Sequence, residues 1–535
     1  MLLLQSALVQ SALVQAALGA LPAARPTWNL ALPGQLLGAL GPDLLLAGGA
    51  VLLLLVAVAR PESDRHQRAV GWASLGLVGL TIVAVVAYAS RGALATEGPI
   101  AVDTFRWAVD IVVLIGTGCT IALSMESNPL DGILTAESHV LVLFSAAGML
   151  LLAAARDLIL VFLGIELMSV AVYILSGLDR RSERSAEAAL KYFLLGAFST
   201  GFLLYGIALV YGATGSTNLA TIGEHVARYS LMYNPMLVAG VALLLIGFSF
   251  KVAAVPFHMW APDVYEGAPT PITAFMAAAV KVAAFAAFLR IWLDAFPTVA
   301  YQWHNAIWLL AVLTMLVGNV VALRQRNLKR MLAYSSIAQA GYVLVAVVVG
   351  TSLGASAFLF YLLAYTLATM GGFGVLTALA TAGEPHTVID DVAGLWTTRP
   401  WLASAFAICL LALLGFPVFG GLGFVAKYYM LKASLQAAYL GKTMPQVELA
   451  VILVLTSVIS AGYYLRVVTV MFMRPRPAQT TPVRAIGRLS GAVVGASALA
   501  LLIFGLVPTL LVSWAEAGAP VVQHEPAAIE MYGGP

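Results

Sequence analysis

The sequence predicts an all-α polytopic membrane protein of about fourteen transmembrane helices, with inverted five-helix repeats and two broken helices. Three observations carry that expectation. Only 10% of the 535 residues are charged and 61% are hydrophobic, whereas soluble domains run near a quarter charged. The apolar stretches recur at lengths of about 20 residues, enough for a helix to cross a hydrocarbon core of about 30 Å. Basic residues collect in loops separated by even numbers of helices, which places them on one face. A membrane barrel would instead require alternating runs of about ten residues, and the sequence lacks them.

The N-terminal extension, residues 1–35, is ambiguous. Its first 21 residues are apolar but punctuated by Gln5, Gln10 and Gln15, without the basic n-region of a signal peptide. An extra helix, a surface helix and a removed leader all remain open. Residues 36–135 then hold helices one to three (38–60, 68–90, 102–125). A first five-helix repeat occupies 136–300, as helices four to eight (136–155, 157–177, 187–212, 235–261, 271–295). A second occupies 301–475, as helices nine to thirteen (303–323, 328–350, 354–381, 401–436, 447–473). Residues 476–535 hold helix fourteen (487–513) and a short tail.

The loops orient this plan. Basic clusters follow helix one (Arg60, Arg65, Arg68), helix five (Arg180, Arg181, Arg184), helix nine (Arg324, Arg326, Lys329, Arg330) and helix thirteen (Arg474, Arg476, Arg484, Arg488). Four helices separate each cluster from the next, so all lie on one side, which the positive-inside rule makes cytoplasmic.

Two helices should break. Pro256 follows Lys251 by five residues in helix seven, and Pro417, Gly420 and Gly421 precede Lys427 in helix twelve. Proline removes a backbone hydrogen bond and clashes with the preceding turn, and paired interruptions in matching halves point to a transport site. The two breaks are five helices apart. An odd offset reverses direction, so the repeat would be inverted.

Charged side chains at membrane depth cost about 2.5–3.5 kcal/mol each on insertion scales and usually mark ion paths. Five stand in apolar runs: Glu166, Lys191, Lys251, Lys281 and Lys427. Lost solvation disfavours a buried ammonium and a nearby carboxylate restores it, so a lysine in such a place exchanges a proton when its partner moves. Glu166 is the obvious partner. A single intramembrane lysine can also be a snorkelling flank, a reading that suits Lys191, near its helix end, better than the others. Four lysines against one glutamate cannot all be static pairs. Asp110 and Arg466 read as structural anchors, His139 as interfacial, and His258 either as a proton relay or as packing beside Trp260.

Other chemistry is poorly supported. The net charge of +3 does not argue for nucleic acid, and the two cysteines, Cys119 and Cys409, fall short of the four that an iron–sulfur site usually needs. No Rossmann or Walker fingerprint is present. The chain is expected to hold no cofactor and no metal of its own.

Four stretches carry a resemblance: FKVAAVPFHMWAPDVYEGAPTPITAF (250–275), GIEL around Glu166, NLKRMLAYSSIAQAGY (327–342) and LLGFPVFGGLGFVAKYY (413–429). From about residue 38 onward the sequence resembles the antiporter-like subunits of NADH:quinone oxidoreductase and of multisubunit cation/proton antiporters. Lys427 stands where one subunit type of the family typically has glutamate, and only a short tail follows helix fourteen, where another type has a long amphipathic helix. The resemblance implies a proton-translocating subunit in the membrane arm of a respiratory complex in the bacterial inner membrane. Its partners would be other membrane-arm subunits, with FMN, iron–sulfur clusters and quinone held by partner subunits. Glu166 would pair with Lys251, Lys191 would modulate that pair, Lys281 would be the central relay, and Lys427 would exchange protons toward the outside. An Mrp-type sodium/proton antiporter subunit is the alternative, and a passive scaffold a third reading.

Overall fold

The computed structural model describes residues 28–29, 33–60, 63–91, 96–133, 135–380, 388–418, 421–436, 446–476 and 486–519. The first 21 residues and Gly420 therefore lie outside the described residues. Helices dominate, and the described strands form one short parallel pair, Trp28–Asn29 with Thr96–Glu97.

Among the described residues, twelve helices are long and apolar enough to cross a membrane. We label them with the two shorter apolar ones in chain order: α1 (Gly41–Val58), α2 (Asp64–Ala89), α3 (Thr104–Ser127), α4 (Glu137–Ala154), α5 (Leu158–Ser176), α6 (Glu183–Thr214) and α7 (Pro235–Lys251). They continue as α8 (Thr270–Asp294), α9 (Gln302–Leu323), α10 (Leu328–Val349), α11 (Ser352–Leu379), α12 (Pro400–Leu414), α13 (Val447–Met473) and α14 (Arg488–Leu506). The fourteen-helix plan read from hydropathy is thus observed, and the chain is a multi-pass membrane protein. Helix α14 stops at Leu506, short of the expected 513, and a separate helix, Thr509–Gly518, follows it.

Local chemistry sets many of the boundaries. Ser63, Asp103, Asp157, Asn234, Asn327 and Thr351 each precede a helix and accept backbone N–H bonds from its first turn, satisfying donors that have no intrahelical partner. Pro235 opens α7, where a missing N–H costs nothing.

Both broken helices are present. Helix α7 ends at Lys251, and a short helix, Ala261–Gly267, resumes after an irregular segment that contains Pro256. Helix α12 ends at Leu414, and its second half runs from Gly421 to Gln436. Non-helical backbone at membrane depth needs internal partners, and it finds them. The Val255 N–H donates to Thr314 Oγ1 (2.9 Å) and Trp260 Nε1 donates to the Phe250 carbonyl (3.0 Å).

Burial separates centre from rim. The most apolar window of α8 is wholly buried and those of α10 and α11 nearly so, whereas in α1, α2, α13 and α14 only about a third is buried. Contacts sort the loops into two ends. At one, Gln67 bonds the Ile133 carbonyl, Asn327 pairs with Val388, and Arg474 pairs with Asp390. At the other, Ile100 pairs with Ala155, Asp157 with Asn218, and Arg290 with Asp103. The basic loops gather at the first end, which agrees with the even spacing of their clusters.

Candidate functional site

Three of the four lysines singled out in the sequence lie in the interior: Lys251 is 4% exposed, Lys281 2% and Lys427 8%. Lys251, the last residue of α7, donates to Ser169 Oγ (3.0 Å) and Tyr173 Oη (3.2 Å), both on α5. Lys281 follows a π-helical turn, Met276–Val280, inside α8, a local widening that recurs at functional sites. It donates to the Ser336 carbonyl (2.7 Å) and Ser336 Oγ (2.6 Å), and Tyr365 Oη donates to the same hydroxyl (2.8 Å). Lys427 donates to the Leu414 carbonyl (2.9 Å) and Ser457 Oγ (3.2 Å), with its ammonium 4.5 Å from the centre of the Tyr342 ring. Leu414 ends the first half of α12, so the break that interrupts the helix supplies an acceptor to its lysine.

Among the described residues, none of these lysines has a carboxylate within ion-pair distance. Glu166 acts on Lys251 electrostatically without contact, and its Oε1 is buried with no hydrogen-bond partner. Glu166 and Lys251 are thus not in ion-pair contact in this conformation, and Ser169 and Tyr173 take two of the three ammonium protons.

Lys191 is not buried. Its side chain is 40% exposed and pairs with Glu187 (2.6 Å), one turn earlier on α6, and with Asp263 (2.8 Å) in the short helix Ala261–Gly267. Asp263 also takes Arg330 (2.8 Å), which reaches Glu266 (3.0 Å). Burial alone would raise the Asp263 carboxyl, but hydrogen bonds from Lys191 and Arg330 outweigh it and hold it below the ordinary carboxylate value. His258 is half-buried, its Nδ1 has no hydrogen-bond partner, and no hydrogen bond among the described residues ties it to a relay lysine. Pro256 and Pro417 both lie in the irregular segments, and Gly421 opens the second half of α12. His139, read as interfacial, is fully buried, with neither ring nitrogen hydrogen-bonded. Lys329, counted among the loop cations, is 6% exposed and donates to the Ala268 carbonyl (2.6 Å). Arg466 is exposed on α13 and donates to the Gln325 carbonyl. Asp110 lies beside Arg106, which pairs with Asp43.

A family model described as "NADH:quinone oxidoreductase/Mrp antiporter, TM" matches residues 155–462. The chain belongs to this family. A relative named NADH-quinone oxidoreductase subunit N, from Gemmatimonas aurantiaca, is 52% identical over 89% of this chain and 92% of its own length. A chain in the structure of respiratory complex I from Thermus thermophilus with bound aureothin superposes with a TM-score of 0.74 at 36% identity, covering 89% of this chain and 100% of that one. A chain of the Mrp complex from Dietzia sp. DQ12-45-1b gives 0.77 at 23% identity, covering 90% and 96%, a likeness of fold. The resemblance to the antiporter-like subunits of NADH:quinone oxidoreductase is thereby borne out, with subunit N the type among them that these relatives share.

In this antiporter-family chain, sequence reading missed the polar groups between the lysines. Ser335, Ser336, Gln339 and Tyr342 recur along one side of α10 at helical spacing. Ser335 bonds Tyr464. Gln339 donates to the Leu413 carbonyl (2.9 Å) and accepts from Tyr361. Tyr342 receives Asn319, which also accepts from Tyr463 (2.9 Å). A small cavity, with room for about one water, touches Tyr365, Gln339, Tyr361 and Lys427. It joins the surroundings of Lys281 to those of Lys427. The signal was available as the spacing of polar residues in SSIAQAGY, within an otherwise apolar helix. No group of three or more His, Cys, Asp or Glu suited to a metal occurs among the described residues.

Proposed function

We propose that this chain is a proton-translocating membrane-arm subunit of a bacterial NADH:quinone oxidoreductase, moving protons from the cytoplasm to the outside across the inner membrane. The observation that carries the proposal is the set of three buried lysines, Lys251, Lys281 and Lys427, each held by neutral hydroxyls and carbonyls. An ammonium locked to a carboxylate keeps its charge. One held by neutral acceptors can surrender a proton when its solvation or a distant charge changes. Glu166 is the distant charge nearest in effect to Lys251, and its approach or withdrawal would load or empty that lysine. The hydroxyls on α10 and the cavity beside Lys427 then offer a route onward from Lys281.

Redox chemistry belongs to partner subunits, with FMN, iron–sulfur clusters and quinone. It must supply the work, since moving one charge against about 150 mV costs about 3.5 kcal/mol. A ligand or partner can drive such a cycle only by favouring one state of the lysine chain over another. The 52%-identical relative named for NADH-quinone oxidoreductase favours this reading over a sodium/proton antiporter.

The test is Lys281→Ala in bacterial membranes, with assembly checked by native gel, and NADH oxidation and proton uptake measured together. Assembled complex with both activities lost supports the relay. Wild-type pumping with Lys281 absent removes it.

A further inference from the structure

We infer that Tyr342 is a positioning residue for Lys427: the face of its ring holds the ammonium and favours the proton-loaded form of that lysine. The inference rests on the lysine relay proposed above. Lys281 and Lys427 have the same kinds of acceptor, one backbone carbonyl and one serine hydroxyl each. At Lys281 these lie at 2.7 and 2.6 Å, both from Ser336. At Lys427 they lie farther off, the Leu414 carbonyl at 2.9 Å and Ser457 Oγ at 3.2 Å. Among the described residues neither lysine has a carboxylate within ion-pair distance. Lys427 is therefore the more weakly bonded of the two, and a further contact must hold its charge.

The ring of Tyr342 supplies it. An ammonium has three N–H donors, and two of those on Lys427 go to Leu414 and Ser457. The same nitrogen stands over the Tyr342 ring, 4.5 Å from its centre. An aromatic face attracts a cation, most strongly where water is excluded. Tyr342 is fully buried and Lys427 is 8% exposed. A carbonyl or hydroxyl can also accept from a neutral amine, whereas the ring face pulls on the charge. It therefore separates the loaded state from the empty one more sharply than the two oxygens do. The other relay lysines lack this arrangement. Lys251 meets Tyr173 through its hydroxyl (3.2 Å), with the ring centre 5.7 Å away. Among the described residues no ring takes the Lys281 ammonium in this way.

The ring is fixed by groups other than the lysine it serves. Asn319 of α9 donates to Tyr342 Oη (3.1 Å) and to the Met315 carbonyl of its own helix (2.7 Å). Tyr463 of α13 donates to Asn319 Oδ1 (2.9 Å). Helices α9, α10 and α13 thus set the ring in place, while Leu414, across the break in α12, and Ser457 of α13 aim the ammonium at it. Tyr342 exchanges no proton itself. One N–H bond forms at Lys427 as it loads and one breaks as it empties, and the ring weights the first state against the second.

The experiment reads protons pumped and NADH oxidised in the assembled complex for wild type, Tyr342→Phe, Tyr342→Leu and Lys427→Ala. A further series places phenylalanine with one, two or three ring fluorines at position 342. Fluorine draws electron density from the ring face at nearly constant size, so the series weakens the hold on a cation while the packing stays the same. Tyr342→Phe keeps the ring and should keep coupled turnover within about twofold of wild type. Tyr342→Leu should lose about tenfold, and the fluorinated rings should fall between the two in order of fluorine count. A packing role would leave them level with phenylalanine, and they decide the matter even where Tyr342→Leu fails to assemble. Equal turnover across the fluorine series, or Tyr342→Phe as poor as Tyr342→Leu, overturns the inference even if Lys427→Ala is inactive. Normal pumping by Lys427→Ala overturns the relay reading itself, and this inference with it.

Discussion

Lys191 and Lys281 are each a single cation in an apolar run of the sequence, Lys191 nearer its helix end, and their surroundings in the fold differ. Among the described residues Lys281 hydrogen-bonds Ser336 alone, whereas Lys191 stands partly in solvent between Glu187 and Asp263. Exposed ion pairs contribute little, so Lys191→Ala should leave complex assembly intact and pumping within roughly a factor of two of wild type. A loss as deep as that of Lys281→Ala, measured in the same membranes, would sink this distinction. The converse error concerns Lys329, which sequence position makes a loop cation and packing makes a buried one. Depth along a helix is legible from hydropathy. Which face a residue takes, and whether a neighbouring helix covers it, is set by contacts tens of residues away, such as the 72 residues separating Lys191 from Asp263.

The elements were far more legible than their side chains. Runs of about 20 apolar residues need a helix to satisfy their backbone in lipid, and caps such as Asp157 and Asn327 mark where helices begin. Proline and glycine announced both breaks as well. What they could not announce is where the freed carbonyls go, because Leu414 meets Lys427 only once the second half of α12 has packed beside the first. Gly415 makes the turn between them with φ of 83°, a left-handed conformation that costs a residue with a side chain about 1–2 kcal/mol. A Cβ at 415 would also come within 2.8 Å of Lys427 Cδ. Gly415→Ala should therefore both strain the turn and displace the lysine from the Leu414 carbonyl. The expected result is an assembled complex whose pumping falls several-fold while NADH oxidation by its redox subunits, assayed with an artificial acceptor, is unchanged. Equal pumping in mutant and wild type would show that Lys427 tolerates another position.

At the scale of the whole molecule, ion pairs at the two ends clamp helices that are distant in sequence, and the buried lysines lie between them. The less basic end is tied by Asp103, which caps α3 and receives both Arg290 nitrogens from α8 (2.7 and 3.0 Å). Burial alone would raise the Asp103 carboxyl, but the Arg290 guanidinium outweighs that and holds it below its ordinary value, which is near 3.9 for aspartate. A carboxylate depressed on folding contributes stability that is complete above its unfolded pKa and disappears as pH falls through the lower folded one. The pair should thus contribute constantly across neutral pH and fade only below about pH 4. Asp103→Asn keeps a capping oxygen but removes the charge, so it isolates the pair from the cap. In the purified complex it should destabilise this subunit by about 1.5–3 kcal/mol. The gap in thermal midpoint between mutant and wild type should stay level from about pH 5 to about pH 9. A gap that opens or closes within that range would mean that another titrating group, not the Asp103–Arg290 clamp, holds α3 against α8.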